Sequence, residues 1–432
     1  MNHTARNLSG YYVDQLLEDA RSEDQGMLND LKFEIDKQLY YFGSHFREPI
    51  ESKNMGKSLQ KAKYFVRSVL RFMSSGFQSV NAESPIFCNA YFNLAKRAHN
   101  LNLIEQPWFR ISPRHKNSWR LLLNLLMVQR RFNRPGLAAF DVEFFNGLKK
   151  ALAEYYAAHN PAALFVPTDL PFLESVAIRI FAELGKPSFN FLHGLPGYYD
   201  VSYYNRKADY LVVWGKSIKE QFIRVGAPPA KILISGHPRY SGIALPATLR
   251  NSSESILVLT KSVAGAQSIY PPILHDRSIT LSYAMMVARV LRKRGVKSAR
   301  LRPHPSENPD WYKKHLDSDF FVLDTDPLDK SLRQSSLVIG PSSSVFIDAL
   351  FAGVNYSVFE PIIRGKDLAN VVVDSPFDGS NRKVPVASKP EELFNNLAKH
   401  ACADAGILND YVAPELDLSG VLNKIFRKQK QS

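Results

Sequence analysis

The chain has 432 residues, 45% of them hydrophobic and 22% charged, which is the length of two or three domains with the composition of a soluble globular protein. Lysine and arginine outnumber aspartate and glutamate by 55 to 41, and the resulting charge of +14 points to an anionic partner: a nucleotide, a phospholipid surface, an acidic glycan or nucleic acid. The two cysteines, Cys88 and Cys402, are far apart and exclude both a disulfide framework and a cysteine-built metal site.

The first residues, MNHTARNLSGYYVDQ, hold no apolar core of signal-peptide length. No apolar run approaches the roughly 20 residues that span a bilayer. The expected location is the cytoplasm, peripheral on the inner face of the plasma membrane. Residues 1–135 read as mainly helical. Stretches 27–41, 57–73 and 118–132 carry apolar residues at helical spacing, and the last ends in Arg130 and Arg131, cations that suit a helix C-terminus. Such a basic, aromatic-rich region can hold an acceptor, dock on lipid, or simply elaborate the first domain.

From about residue 140 the rhythm changes. A helix over 142–159 is followed by a strand at 162–167, a helix at 171–184 stopped by Gly185 and Pro187, and strands at 188–192, 210–213 and 232–235, with a helix at 217–225. Residues 241–253 are small and polar and read as a linker. The alternation then restarts with strands at 255–260, 298–302, 320–323, 337–339 and 355–359 and helices at 279–293, 345–351 and 391–402. This pattern predicts an α/β chain with two parallel, doubly wound sheets. The boundaries are 1–245 for an acceptor-side domain (1–135 helical, 136–245 Rossmann-like), 246–405 for a nucleotide-binding domain, and 406–432 for a basic tail. The end of that tail, 422–430, is basic and partly apolar, which suits an anionic leaflet.

Ligands of open α/β sheets bind beyond the carboxyl ends of the strands. Several chemically capable residues stand there. Arg302, His304 and Pro305 lie in RPHPSE after one strand, where the prolines fix the backbone. The two cationic donors suit a phosphate oxygen, and His304 can also protonate a leaving phosphate. Ser342, Ser343 and Ser344, in GPSSSVFIDALFAG, join a strand to a helix N-terminus and offer phosphate its backbone amides; helix capping needs only one of them. Lys261 adds a cation, and Glu360 is placed to accept from ribose hydroxyls. In the first half Asp169 follows a strand and serves either as base or nucleophile or as the cap of the next helix. His193, in FLHGLPGYYD, precedes Gly194 and Gly197, which allow close backbone approach.

At these motifs the chain resembles GT-B glycosyltransferases, and among them the bacterial CMP-sugar-dependent enzymes of capsule and lipopolysaccharide synthesis: sialyltransferases, polysialyltransferases and Kdo transferases. The resemblance covers about 160–405. It implies that His304 and Pro305 form the His-Pro motif, that Ser342 and Ser343 form the serine motif at the donor phosphate, and that Asp169 is the catalytic carboxylate. It also implies two Rossmann-like domains facing a central cleft. The expected activity is metal-independent transfer of Kdo or sialic acid from a CMP donor to a polysaccharide or lipid-linked acceptor, without a cofactor. The stretch 189–240 is also similar to CDP-glycerol glycerophosphotransferases and UDP-N-acetylglucosamine 2-epimerases, so glycerol- or ribitol-phosphate transfer, UDP-sugar chemistry and a non-catalytic glycan-binding module stand as alternatives. The basic residues are dispersed and form no nucleic-acid motif, so no nucleic-acid partner is expected.

Overall fold

The computed structural model describes residues 18, 22–36, 63, 65–67, 69–70, 73, 85–88, 103–105, 118–132, 142–195, 207–261, 278–305, 307, 309–361 and 375–431. Gly197, Ser306 and much of the 57–73 stretch lie outside them.

Two six-stranded parallel sheets carry the chain. The first is built from β1 (Ile86–Cys88), β2 (Leu103–Glu105), β3 (Ala163–Val166), β4 (Ser188–Phe191), β5 (Tyr210–Val213) and β6 (Ile232–Ile234), in the order β2-β1-β3-β4-β5-β6. The second is built from β7 (Ile256–Leu259), β8 (Ala299–Arg302), β9 (Phe321–Leu323), β10 (Leu337–Gly340), β11 (Tyr356–Phe359) and β12 (Val386–Ala387). Its order, β12-β11-β10-β7-β8-β9, is that of a doubly wound dinucleotide-binding sheet, with the switch point between β7 and β10. The central strands ALFV, ILVL, LVIG and YSVF are buried throughout, as strands covered by helices on both faces must be.

The region read as helical contributes α1 (Ser22–Asp36) and α2 (Ser118–Phe132), but also β1 and β2. These three-residue strands are too short to show periodicity. They extend the first sheet beyond β3, with Phe87 level with Leu164 and Ile104. Helix α1 places Met27, Leu31 and Ile35 in the core shared with α3 (Val142–Ala158) and α4 (Phe172–Glu183). A 2.6 Å ion pair from Arg179 to the buried Asp30 fixes it there.

The basic tail read at 406–432 is packed against the first domain in the structure. Helix α5 (Lys216–Arg224) packs against α11 (Leu408–Tyr411), and α12 (Leu418–Gln431) follows. Residues 411–417 run back across the first domain, with Ala413 N–H donating to Trp214 O at 2.8 Å and Asp417 N–H to Ser235 O at 2.9 Å. Gly236 permits this: its φ is +75°, and a Cβ there would lie 2.3 Å from Glu415 O. Leu418, Leu422 and Ile425 are buried in a core that holds residues of both halves, so the apolar side of the tail faces protein and not a leaflet.

Candidate functional site

The switch point of the second sheet gathers four of the predicted residues. Strand register sets Ile339 level with Val258 and Leu259 level with Arg302, so the loops after β7, β8 and β10 leave the sheet side by side. After β7, Lys261 Nζ donates to Ser342 Oγ at 2.7 Å and lies 3.6 Å from the Glu360 carboxylate. After β10, the Ser342 amide donates to Glu360 Oε1, which follows β11. The Gly340-Pro341 turn is held from beneath, because the Tyr356 hydroxyl donates to Pro341 O at 2.6 Å. A Cβ on Gly340 would lie 2.1 Å from that hydroxyl, so only glycine allows the contact. Ser343 Oγ accepts from Val345 N–H at 3.3 Å, and Ser344 occupies the N-cap of α9 (Val345–Phe351) without a side-chain hydrogen bond.

After β8, Glu307 shapes the His304 loop. Its carboxylate accepts from the His304 amide at 2.9 Å, from the Tyr312 hydroxyl at 2.9 Å and from the Thr260 hydroxyl. Thr260 Oγ1 also accepts from His304 N–H at 3.0 Å. The backbone of His304 is thereby fixed, its ring feels the charges of Glu307 and Lys261, and Pro305 is exposed beside it. Burial lowers the pKa of His304; Glu307 opposes that shift and Lys261 adds to it. Motif reading picked out the histidine but not Thr260, Glu307 and Tyr312, whose role depends on β7 and β8 being neighbours.

Arg302 stands elsewhere, and Glu360 stands at the crevice in another role. Arg302 does not reach the crevice: its Nη1 lies 3.1 Å from Asp324 Oδ1 and donates to Asp326 O at 2.6 Å, while Arg300 pairs with the same aspartate at 2.9 Å. Period-2 alternation along β8 puts both arginines on one face, turned to the α8 (Leu328–Arg333) side, so Arg302 is structural. Glu360, expected at a ribose, instead holds the Ser342 amide. Asp324 and Asp326 form an Asp-x-Asp triplet with Thr325, and Asp317 and Asp319 form another with Ser318. Arginine and lysine partners occupy three of these carboxylates, those of Asp324, Asp326 and Asp317. No group of three metal-ligating side chains is found among the described residues.

In the first domain, β3 and β4 end beside each other. His193 Nδ1 lies 3.1 Å from Pro167 O. A carbonyl only accepts, so Nδ1 carries the proton and Nε2 is the acceptor nitrogen. Burial lowers the pKa of His193, against that hydrogen bond, which favours the neutral ring. Asp169 differs from its expected role in two ways. The cap position of α4 belongs to Pro171, with no side-chain cap. The carboxylate is fully buried and accepts from the amides of Lys207 at 3.1 Å and Ala208 at 3.4 Å, so it ties down the segment entering β5. Burial pushes its pKa up to about 6. Among the described residues, no hydrogen bond joins Asp169 or His193 to the second-domain cluster.

The halves meet at GHPRY, the second His-Pro pair. The His237 ring stacks on Tyr240 at 4.6 Å and meets the edge of Trp214 at 4.5 Å, while its Nδ1 accepts from Arg239 N–H at 3.1 Å. Across the domain boundary, the Tyr240 hydroxyl donates to Asp348 Oδ1 at 2.8 Å, Arg239 pairs with Asp348 at 3.1 Å and with Asp329 at 2.6 Å, and Tyr240 stacks on Phe351. Asp348 lies on α9, the helix that the serine loop opens. The carboxyl end of β6 is thus locked to the element carrying Ser342 to Ser344.

No family model matches the chain, and no curated protein matches it in sequence. Among solved structures, UDP-GlcNAc 2-epimerase from Neisseria meningitidis, bound to UDP-GlcNAc, is 10% identical with a TM-score of 0.46, over 81% of this chain and 100% of its own. MnaA of S. aureus, bound to UDP, is 13% identical with a TM-score of 0.46, over 81% and 96%. The lipopolysaccharide outer core galactosyltransferase WaaB is 9% identical with a TM-score of 0.40, over 81% and 99%. At these values the chemistry of the site rests on its own residues. The two parallel sheets, read from the chain's own topology, are the α/β architecture expected of a GT-B chain.

Proposed function

We propose that the chain is a nucleotide-sugar-dependent glycosyltransferase whose donor phosphate binds at the β7–β10 switch point. The observation that carries this reading is the convergence of Lys261, His304 and the Ser342 loop on the crevice where doubly wound sheets take nucleotides. Phosphate needs cations and amide donors held in place before it arrives, and the hydrogen bonds of Glu307, Glu360 and Tyr356 hold these groups. The donor we favour is a CMP-activated Kdo or sialic acid, and the acceptor a surface polysaccharide or lipid-linked glycan.

In this reading the sugar's anomeric C–O bond to phosphate breaks while the acceptor hydroxyl attacks. Lys261, the serine loop and His304 take up the charge gathering on the departing phosphate, and His304 can supply it a proton. His193, neutral and held through Nδ1, is better suited than Asp169 to accept the hydroxyl proton, because the Asp169 carboxylate is fully enclosed and one of its oxygens is engaged with two backbone amides. His193→Ala is expected to lower kcat by about 10²–10⁴-fold while leaving nucleotide affinity within a factor of two, measured by product formation from CMP-Kdo, CMP-sialic acid and UDP-sugars. Unchanged turnover would remove His193 from the mechanism, and product from a UDP-sugar alone would replace the CMP donor.

A further inference from the structure

An amphipathic segment of the N-terminal region faces the wrong way for a protein core. At helical spacing, Phe65, Val69, Met73, Val66 and Leu70 fall within a sector of roughly 140°, and Lys63 and Arg67 lie outside it. The described positions, 63, 65–67, 69–70 and 73, are helical. Elsewhere such a face is turned inward: α2 buries Leu121, Leu122, Leu125 and Val128, and α12 buries Leu418, Leu422 and Ile425. Here Phe65 is 50% exposed, Val66 53%, Leu70 62% and Met73 47%, and Lys63 and Arg67 are exposed as well.

Charge identifies what covers this face. Residues 52–82 contain six cations (Lys53, Lys57, Lys61, Lys63, Arg67 and Arg71) and no acidic residue, nearly half of the chain's excess of 14. A second copy of the chain would bring the same six cations against them. An anionic lipid surface offers apolar depth for the aromatic and aliphatic side chains and phosphates for the flanking cations. We propose that the face formed by Phe65, Val66, Val69, Leu70 and Met73, flanked by Lys63 and Arg67, is a peripheral docking element for an anionic bilayer. This role is independent of the nucleotide reading.

The test is co-sedimentation of the full chain with vesicles of phosphatidylcholine alone and of phosphatidylcholine mixed with phosphatidylglycerol. Binding is expected to the mixed vesicles and to fall with salt. K63Q/R67Q should weaken it by about thirtyfold, because each removed cation near such a surface is worth close to a factor of five. F65S/L70S should weaken it at least about tenfold through lost apolar burial. Both variants should melt as the wild type does. Phe65→Trp should show a blue shift in emission with mixed vesicles, a readout that survives should F65S/L70S fail to fold. Equal sedimentation with both vesicle types, wild-type binding by F65S/L70S, or no shift for Phe65→Trp would each overturn the proposal. So would a dimer of the wild type that F65S/L70S converts to monomer without any lipid effect.

Discussion

Asp169, expected as base, nucleophile or helix cap, is held in the fold by backbone amides far along the chain. Its position just past β3 was legible, but the direction of its carboxylate was not, because the amides of Lys207 and Ala208 that claim it lie 38 and 39 residues further on. Arg302 is the same case, since its partner Asp324 is reached only through the sheet. The buried carboxyl of Asp169 has a testable consequence. With its folded pKa near 6 and its unfolded value near the usual 4, the folded state binds this proton more tightly than the unfolded chain. Its contribution to stability is therefore fully present below about pH 4 and is lost as pH rises through about 6. Asp169→Asn keeps an oxygen for the two amides and has no such loss. The variant should gain on the wild type between pH 4 and pH 7 by up to about 3 kcal/mol, followed by thermal unfolding across that range. An offset that does not change with pH would contradict this account of Asp169, and loss of turnover with intact nucleotide binding would restore it as the base.

At the scale of elements, the helices and strands of 142–359 were readable because apolar runs of strand length alternate with amphipathic stretches, and Gly185 ends a helix where expected. Strands β1 and β2 and the short helices α7 (Pro309–His315) and α8 were not, since each spans too few residues for a period to show. Nor was the anchoring of the His304 loop, which takes residues from the loops after β7 and β8 and from α7. Glu307→Ala removes the shared acceptor of three donors, so we expect a loss of about 1–3 kcal/mol in stability and a drop in nucleotide affinity. Glu307→Gln retains acceptor oxygen and should recover part of the affinity. The measurement is titration calorimetry with CMP and UDP beside a thermal melt. Full affinity in a destabilised Glu307→Ala would show that the network supports the fold without positioning His304.

The whole molecule behaves as two sheets sharing one core. Trp214, Ile218 and Phe222 of the first half lie in the same buried cluster as Leu257, Val338 and Tyr356 of the second, with Leu408, Leu418 and Leu422 of the returning segment between them. The linker read at 241–253 predicted two bodies but not this return, because nothing in a basic amphipathic tail states which surface it covers. GHPRY, the second His-Pro pair, is the joint, clamped on Asp348 six residues beyond Ser342. A ligand at the second-domain switch point should therefore raise the melting temperature of the entire chain. The most direct test is thermal unfolding with CMP, CDP, UDP and GDP, on the wild type and on His304→Ala. At a hundredfold excess over Kd a nucleotide adds about 2.7 kcal/mol. Such a shift is expected for at least one nucleotide, with CMP favoured, growing as pH falls and His304 takes up a proton, and weakened in His304→Ala. Absence of a shift with all four, or an equal shift in His304→Ala at every pH, would contradict the placement of the donor phosphate at Lys261, His304 and Ser342.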